Sequence, residues 1–120
     1  MQRVWRTVTG FYHVCARGVG KQLIFEGDED RWEFLELMRE CCREAGVTVI
    51  AWCLMGNHVH LVLADYEDAM SAAMHRLLLT YARRFNKRTG RTGHLFQNRF
   101  DRRSLDTDWQ VMEAIRSVHA

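Results

Sequence analysis

The chain has 120 residues, a length that fits one domain, 1–120, with a hydrophobic core. Its 48% hydrophobic and 27% charged residues are typical of a soluble globular protein, and no apolar run is long enough to span a membrane. The net charge is only +2, and no signal peptide opens the sequence, so the cytoplasm is the expected location. Four cysteines without C-x-x-C spacing favour reduced, mostly buried thiols over a disulfide framework or a zinc site.

The first half of the chain predicts a strand followed by a helix. Residues 10–17 are rich in β-formers and are followed by glycines. Residues 28–45 begin with three acidic residues, which suit the start of a helix, and Gly46 ends that helix. Its apolar side chains recur at three- and four-residue steps, at Trp32, Leu35, Met38, Cys42 and Ala45. Because this helix is acidic, we expect it to face solvent, away from the basic part of the chain.

Two more strands, at 47–54 and 58–63, are separated by Gly56 and Asn57, a pair typical of tight antiparallel hairpins. We expect Asn57 to shape this turn, with a contact to substrate as the alternative. Residues 68–87 form an amphipathic helix whose apolar stripe includes Tyr81, so this tyrosine should pack in the core. Residues 94–100 alternate and predict a fourth strand, and a last helix begins at about Asp108.

The predicted order is β-α-β-β-α-β-α. It is the order of the ferredoxin-like split βαβ fold with an added C-terminal helix. The fold class is therefore α+β, with a four-stranded antiparallel sheet and two helices on one face. Many unrelated activities use this fold, so the order of elements does not by itself indicate a function.

Two histidines on the third predicted strand are the first candidate site. Residues two apart on a strand point to the same face, so His58 and His60 project side by side while Val59 and Leu61 point to the core. If the core side faces the helices, the pair faces the open side of the sheet. Neighbouring imidazoles can bind a divalent metal ion, although such a site needs further ligands, and two unpartnered histidines are the alternative. His13, on the first strand, is expected to have a structural role.

Positive charge is concentrated in one segment. Residues 76–103 contain nine basic residues and one acidic residue, a net charge of +8, whereas the remainder of the chain has a net charge of −6. This polarisation is typical of a surface that binds phosphates, because neutralised phosphates release counterions. A solvated helix face and loop is the alternative. The basic residues are Arg76, Arg83, Arg84, Lys87, Arg88, Arg91, Arg99, Arg102 and Arg103.

Three sequence blocks resemble a known family. They are WCLMGNHVHLVL, YARRFNKRTGRTGHLFQNRF and EAIRSVHA. The first resembles the His-hydrophobic-His motif of the HUH single-strand DNA endonucleases. Together the blocks resemble the REP-associated tyrosine transposases and their insertion-sequence relatives, and this similarity covers nearly the whole chain, from about Val8 to the end.

The resemblance implies a domain that binds single-stranded or hairpin DNA and that nicks and rejoins it. His58 and His60 would hold a divalent metal ion, Mg or Mn. A tyrosine on the C-terminal helix would attack the DNA phosphorus, but Ser117 occupies its position here. The third metal ligand of the family would lie beyond Ala120, so the last helix is expected to be truncated. The basic residues expected to contact DNA are Arg83, Arg84, Lys87, Arg88, Arg91, Arg99, Arg102 and Arg103.

Two other functions are weighed against this one. A non-catalytic nucleic-acid-binding domain on the same fold usually exposes aromatic residues on its central strands, where this chain has His58 and His60. A metalloenzyme acting on a small molecule would leave the basic segment unexplained. A serine hydroxyl is far less acidic than a phenol, so Ser117 leaves strand cleavage open even where DNA binding is expected. Relatives of this type occur as monomers and dimers, and a homodimer is left open.

Overall fold

A computed structural model describes residues 9–97 and 99–119. The predicted order of strands and helices is confirmed, and a short 3-10 turn at Val19–Lys21 lies between the first strand and the first helix. None of the described helices is both long enough and apolar enough to cross a bilayer. The elements are β1 (Phe11–Arg17), α1 (Asp28–Ala45), β2 (Thr48–Leu54), β3 (His58–Ala64), α2 (Met70–Thr89), β4 (Asp101–Leu105) and α3 (Asp108–His119).

The four strands form one antiparallel sheet in the order β2-β3-β1-β4. The β2–β3 hairpin turns tightly through Gly56 and Asn57, and the N–H of Met55 donates to the carbonyl of His58 at 2.9 Å. The main core lies between the sheet and the two helices α1 and α2, and it includes Val59 and Leu61 of β3. The predicted α+β fold class is therefore confirmed.

The opposite face of the sheet is only partly open. The helix α3 packs across it, and Ala114 and Val118 of α3 form a second buried cluster with Ala51, Val62 and Leu105 of the strands. The part of this face that carries His58 and His60 lies beyond that cluster along β3, since Val62 is the next residue on the same side. The open part of this face is therefore smaller than the sequence pattern predicts, because α3 covers the rest.

The predicted strand at 94–100 is wrong. Residues 94–97 and 99–100 contain no regular strand: Leu95 and Phe96 are both buried, and among these described residues only Phe96 forms a bridge, with Gly18. The fourth strand is Asp101–Leu105, which pairs with β1 at the edge of the sheet. An edge strand can be polar on both faces, so Arg102 and Arg103 within it give no alternating pattern to predict from.

The orientation predicted for α1 is also wrong. This helix packs against α2, and its buried side chains include Phe34 and Leu37, whereas Trp32 is 66% exposed. Its acidic residues do not avoid the basic helix, because Glu44 pairs with Arg76 across the interface. Opposite charges on neighbouring helices attract, so the acidic residues of α1 can lie beside the basic helix.

Candidate metal and nucleic-acid site

The histidine pair lies on β3, a central strand. His58 and His60 alternate along it with Val59 and Leu61, which are fully buried in the main core. The two imidazole ring centroids are 4.8 Å apart, and the rings are nearly perpendicular, at 87°. Both side chains are half-buried. The strand therefore fixes the spacing of the two rings while leaving them accessible to a ligand.

Asn57 orients the first of these rings. Its side-chain oxygen lies 2.7 Å from Nδ1 of His58, and its amide nitrogen donates to the carbonyl of Lys21 at 3.4 Å. An amide oxygen only accepts hydrogen bonds, so Nδ1 of His58 carries a hydrogen, and in the neutral ring the lone pair is therefore on Nε2. The side chain that the sequence assigns to the turn thus also sets the tautomer of the adjacent histidine.

The connection after β1 supports the turn itself. The N–H of Gly18 donates to the carbonyl of Asn57 at 2.9 Å, and the N–H of Ile24 donates to the carbonyl of Gly56 at 2.8 Å. Both carbonyls of the two-residue turn are therefore held from outside the hairpin. This arrangement restrains the end of β3 that carries His58.

A third histidine, His13, joins the pair from β1. Its Nε2 lies 3.3 Å from Nδ1 of His60, and the two ring centroids are 5.3 Å apart. The sequence predicts only a structural role for His13, and it does not predict this contact with His60. Two signals could have found it: Tyr12 and Val14 point into the core, so His13 points out, and the split βαβ fold places the first strand beside the third.

Burial and nearby positive charge keep two of these imidazoles neutral. Burial lowers the pKa of His60 below its ordinary value, and repulsion from the positive charge that His58, His13 or Arg17 carries when protonated acts in the same direction. Burial also lowers the pKa of His13, and Arg103 contributes to that shift. Neutral imidazole is the form that binds a metal ion. The rings of His60 and His13 are therefore in that form at neutral pH.

The pair fits a divalent metal ion as an incomplete set of ligands. Nδ1 of His58 is hydrogen-bonded, and Nδ1 of His60 faces His13, which leaves the two Nε2 atoms for coordination. Within residues 9–97 and 99–119, no three His, Cys, Asp or Glu side chains are grouped so as to hold a metal ion. The remaining coordination positions would be filled by water or phosphate oxygens, which Mg²⁺ in particular retains.

Ser117 lies on the exposed side of α3. Its neighbours Ala114 and Val118 are buried against the sheet, whereas Ser117 itself is exposed. No hydrogen bond or ion pair in the described part of the chain joins Ser117 to the histidine pair. The structure thus leaves the Ser117 hydroxyl free for solvent, and none of the described side chains is bonded to it as a base.

Tyr81 packs in the core, as the sequence predicts. Its side chain is fully buried, and its hydroxyl donates to the carbonyl of Ile24 at 2.6 Å. Burial raises the pKa of Tyr81 well above the ordinary phenol value. A buried, protonated phenol that is already hydrogen-bonded cannot reach a DNA phosphate, so Tyr81 is not an alternative nucleophile.

An open groove of about 640 Å³ runs between α2 and the segment that follows it. Arg83, Arg99 and Arg102 line this groove together with the apolar side chains of Leu78 and Phe100. No described carboxylate forms an ion pair with Arg83 or Arg99. Cationic side chains next to apolar ones are suited to nucleic acid, whose phosphates are anionic and whose bases stack.

Two of the predicted DNA-binding residues form ion pairs within the protein. Arg88 pairs with the buried carboxylate of Asp30 and, at 2.8 Å, with Glu33. Arg84 lies 3.5 Å from the same Glu33. These arginines hold α1 against α2, and their charge is partly neutralised by the acidic helix. Their contribution to a phosphate-binding surface is correspondingly smaller.

Arg91 fixes the turn that follows α2. Its guanidinium donates to the carbonyls of Gly93 and His94 and to the side chains of Gln22 and Asn86. This set of bonds makes Arg91 a structural residue of the groove wall. The remaining predicted DNA-binding residues, Lys87 and Arg103, are exposed.

The groove wall and the histidine pair are linked through the end of β1. Arg17 is the β1 partner of His58 in the β1–β3 ladder. The carbonyl of Arg17 accepts a hydrogen bond from the N–H of Gln97 at 2.9 Å, and the N–H of Val19 donates to the carbonyl of Leu95 at 2.9 Å. The wall is therefore bonded to the strand end that lies beside the pair.

Comparisons with known proteins agree with this architecture. The model of the family described as transposase IS200-like matches residues 7–117. The structure is similar to that of a REP-associated tyrosine transposase bound to a REP hairpin, with a TM-score of 0.76 and 12% identity over 99% of this chain and 70% of that chain. It is also similar to a candidate transposase from Deinococcus radiodurans R1, with a TM-score of 0.63 and 20% identity over 100% and 98% of the two chains. A search of curated proteins finds no match.

Proposed function

The chain belongs to the IS200-like transposase family, and we propose that it is an HUH-type domain for metal-dependent nicking and transfer of single-stranded or hairpin DNA. The observation that carries the proposal is the pair His58 and His60, whose Nδ1 atoms both face neighbouring side chains, whereas no described residue is hydrogen-bonded to either Nε2 atom. Two surface histidines without a function would not need this arrangement.

His58 and His60 are the proposed ligands of a Mg²⁺ or Mn²⁺ ion. Such an ion, when bound, would neutralise negative charge on the oxygens of the scissile phosphate. The protein's own contribution is to orient the ring of His58 through the contact with Asn57 and to favour the neutral form of His60 through burial, which lowers the pKa of that ring. The structure supports two ligands for this ion, and water and DNA would supply the others.

The groove beside α2 is the proposed DNA surface. Arg83, Arg99 and Arg102 would contact phosphates, and Phe100 offers an apolar surface for a base. The similar transposase described above was solved with a REP hairpin, which supports a hairpin as the DNA form bound here. A strand leaving the groove at the end of β1 would pass beside His58, because Arg17 links the two.

Ser117 occupies the position of the proposed nucleophile. In the nicking step a hydroxyl loses its proton to solvent as its oxygen forms a bond to phosphorus, the bond from phosphorus to the 3′ oxygen breaks, and that 3′ oxygen takes a proton to become a 3′-hydroxyl. The hydroxyl of Ser117 gives up its proton much less readily than a phenol. We therefore expect the chain to bind DNA and to nick it weakly. The exposed serine also favours the second candidate function, a non-catalytic DNA-binding domain.

Calorimetric titration with Mn²⁺ tests the metal site. We expect the wild-type chain to bind Mn²⁺, His58→Ala to lose that binding, and His75→Ala to retain it, since His75 is exposed on α2 and outside the pair. A gel-shift series with a DNA hairpin and a scrambled strand of the same length tests the partner. No Mn²⁺ binding by the wild type would refute the metal site, whereas Mn²⁺ binding that survives in His58→Ala would place the ion elsewhere.

A further inference from the structure

We propose that His13 is a positioning residue that accepts a hydrogen bond from Nδ1 of His60 and thereby leaves Nε2 of His60 free to bind a metal ion. This inference rests on the proposed function, because it concerns the state in which His60 serves as a ligand. It assigns a role to a side chain on β1 that neither the sequence motif nor the histidine pair includes. The contact is Nε2 of His13 at 3.3 Å from Nδ1 of His60.

Only one hydrogen can lie between two ring nitrogens at this distance, and its owner decides what His60 can do. If His60 donates, its proton is on Nδ1, and Nε2 presents a lone pair. If His13 donates, a neutral His60 carries its proton on Nε2 and cannot coordinate through that atom. A free neutral imidazole prefers the proton on Nε2, so the ligating tautomer of His60 needs an acceptor at Nδ1.

His58 has a matching arrangement. Its Nδ1 faces the side-chain oxygen of Asn57, and the orientation of that amide is fixed because its nitrogen faces the carbonyl of Lys21. Both histidines of the pair therefore have a neighbour at Nδ1, and neither Nε2 is hydrogen-bonded to any residue in the described part of the chain. A hydrogen bond from the second ring nitrogen fixes both tautomer and ring direction in metal sites, and loss of such a partner typically lowers metal affinity about 10- to 100-fold.

Strand pairing makes His13 a stable acceptor. It lies on β1, between β3 and β4, with Val62 as its partner on one side and Arg103 on the other. Arg103 carries a positive charge and can only donate hydrogen bonds. Its position opposite His13 disfavours protonation of that ring, and a neutral ring keeps a lone pair that can accept a hydrogen bond. A role for His13 as a third ligand is not favoured, because its Nε2 faces the ring of His60 and no three-ligand group occurs in the described part of the chain.

Two substitutions in the full chain test whether His13 acts as a hydrogen-bond acceptor or in another role. His13→Gln keeps an acceptor oxygen, and His13→Leu keeps the volume without any acceptor. By nitrogen NMR of the metal-free protein, we expect His60 to carry its proton on Nδ1 in the wild type and in His13→Gln, and on Nε2 in His13→Leu. By calorimetry, Mn²⁺ binding should weaken about 10-fold or more in His13→Leu and be largely restored in His13→Gln. Circular dichroism checks that both variants are folded.

The outcomes distinguish this inference from the proposed function. An unchanged His60 tautomer and unchanged Mn²⁺ affinity in His13→Leu would overturn the positioning role. Equal loss of Mn²⁺ binding in folded His13→Gln and His13→Leu would also overturn it, since that result identifies His13 as a ligand. If the wild type binds no Mn²⁺, the proposed metal site fails, and the NMR comparison still decides whether His13 sets the tautomer of His60.

Discussion

The buried hydroxyl of Tyr81 gives a prediction that separates packing from catalysis. It donates to the carbonyl of Ile24 at 2.6 Å, and the N–H of Ile24 donates to the carbonyl of Gly56 in the turn before His58. Tyr81→Phe leaves a buried carbonyl without this partner, which costs about 1–3 kcal/mol of the free energy of unfolding. For a 120-residue chain with an unfolding entropy of about 2.1 cal/mol/K per residue, this loss lowers Tm by about 4–12 °C.

Differential scanning calorimetry measures that shift, and Tyr66→Phe is the matched control. Tyr66 is 55% exposed, so removal of its hydroxyl should change the free energy of unfolding by less than about 0.5 kcal/mol. DNA binding and Mn²⁺ binding should be unchanged in both variants at a temperature where both are folded. An unchanged Tm in Tyr81→Phe, combined with loss of DNA nicking, would refute the packing role and identify Tyr81 as a nucleophile.

Three further predictions follow from the charges. In gel-shift titrations, Arg83→Gln and Arg99→Gln should each weaken hairpin binding and reduce the slope of log affinity against log salt by about 0.7–0.9. Arg39 is an exposed arginine on α1, and Arg39→Gln should change neither the affinity nor the slope. Arg88→Gln should cost about 1–3 kcal/mol in urea unfolding because it leaves the buried Asp30 carboxylate without its cation, and an unchanged midpoint would mean that the pair contributes nothing. By proton NMR, His60 and His13 should titrate below the ordinary imidazole pKa of about 6.5, and midpoints at or above 6.5 would contradict the burial argument. Between each lowered pKa and about 6.5, the folded chain binds fewer protons than the unfolded chain, so the free energy of unfolding should rise with pH across that window.

Much of the fold could be predicted from the sequence because the periodic elements are long and amphipathic. The ends of α1 are marked by an acidic first turn and by Gly46, which adopts the left-handed conformation at the C-cap. The start of α2 is harder to predict from the sequence. The buried carboxylate of Asp65 accepts hydrogen bonds from the N–H groups of Ala69 and Met70, so the helix begins after the acidic residues rather than among them. The edge strand β4 had no pattern, since backbone pairing with β1 determines it.

The sequence predicts that His58 and His60 lie on one face of a strand, and it does not predict the contacts at the margins of the candidate site. The spacing of His58 and His60 gives their common face directly, because a strand has a period of two. The contact with His13 depends on which strands are neighbours, and the ion pairs of Arg84 and Arg88 depend on the rotation of two helices about their axes. Such relations between elements are not encoded in the local pattern of any one segment.

The most direct test of the account is formation of a covalent complex between this chain and DNA. An end-labelled single strand that contains a hairpin is incubated with Mn²⁺ and four proteins: wild type, Ser117→Tyr, the double variant Ser117→Tyr/His58→Ala, and the control Ser117→Tyr/Arg39→Gln, whose Arg39 is exposed on α1 and does not line the groove. The adduct is resolved on a denaturing gel. We predict more adduct in Ser117→Tyr than in the wild type, its loss with His58→Ala, and its retention with Arg39→Gln. If neither the wild type nor Ser117→Tyr forms an adduct while both bind the hairpin, strand transfer is contradicted and the chain is a DNA-binding domain.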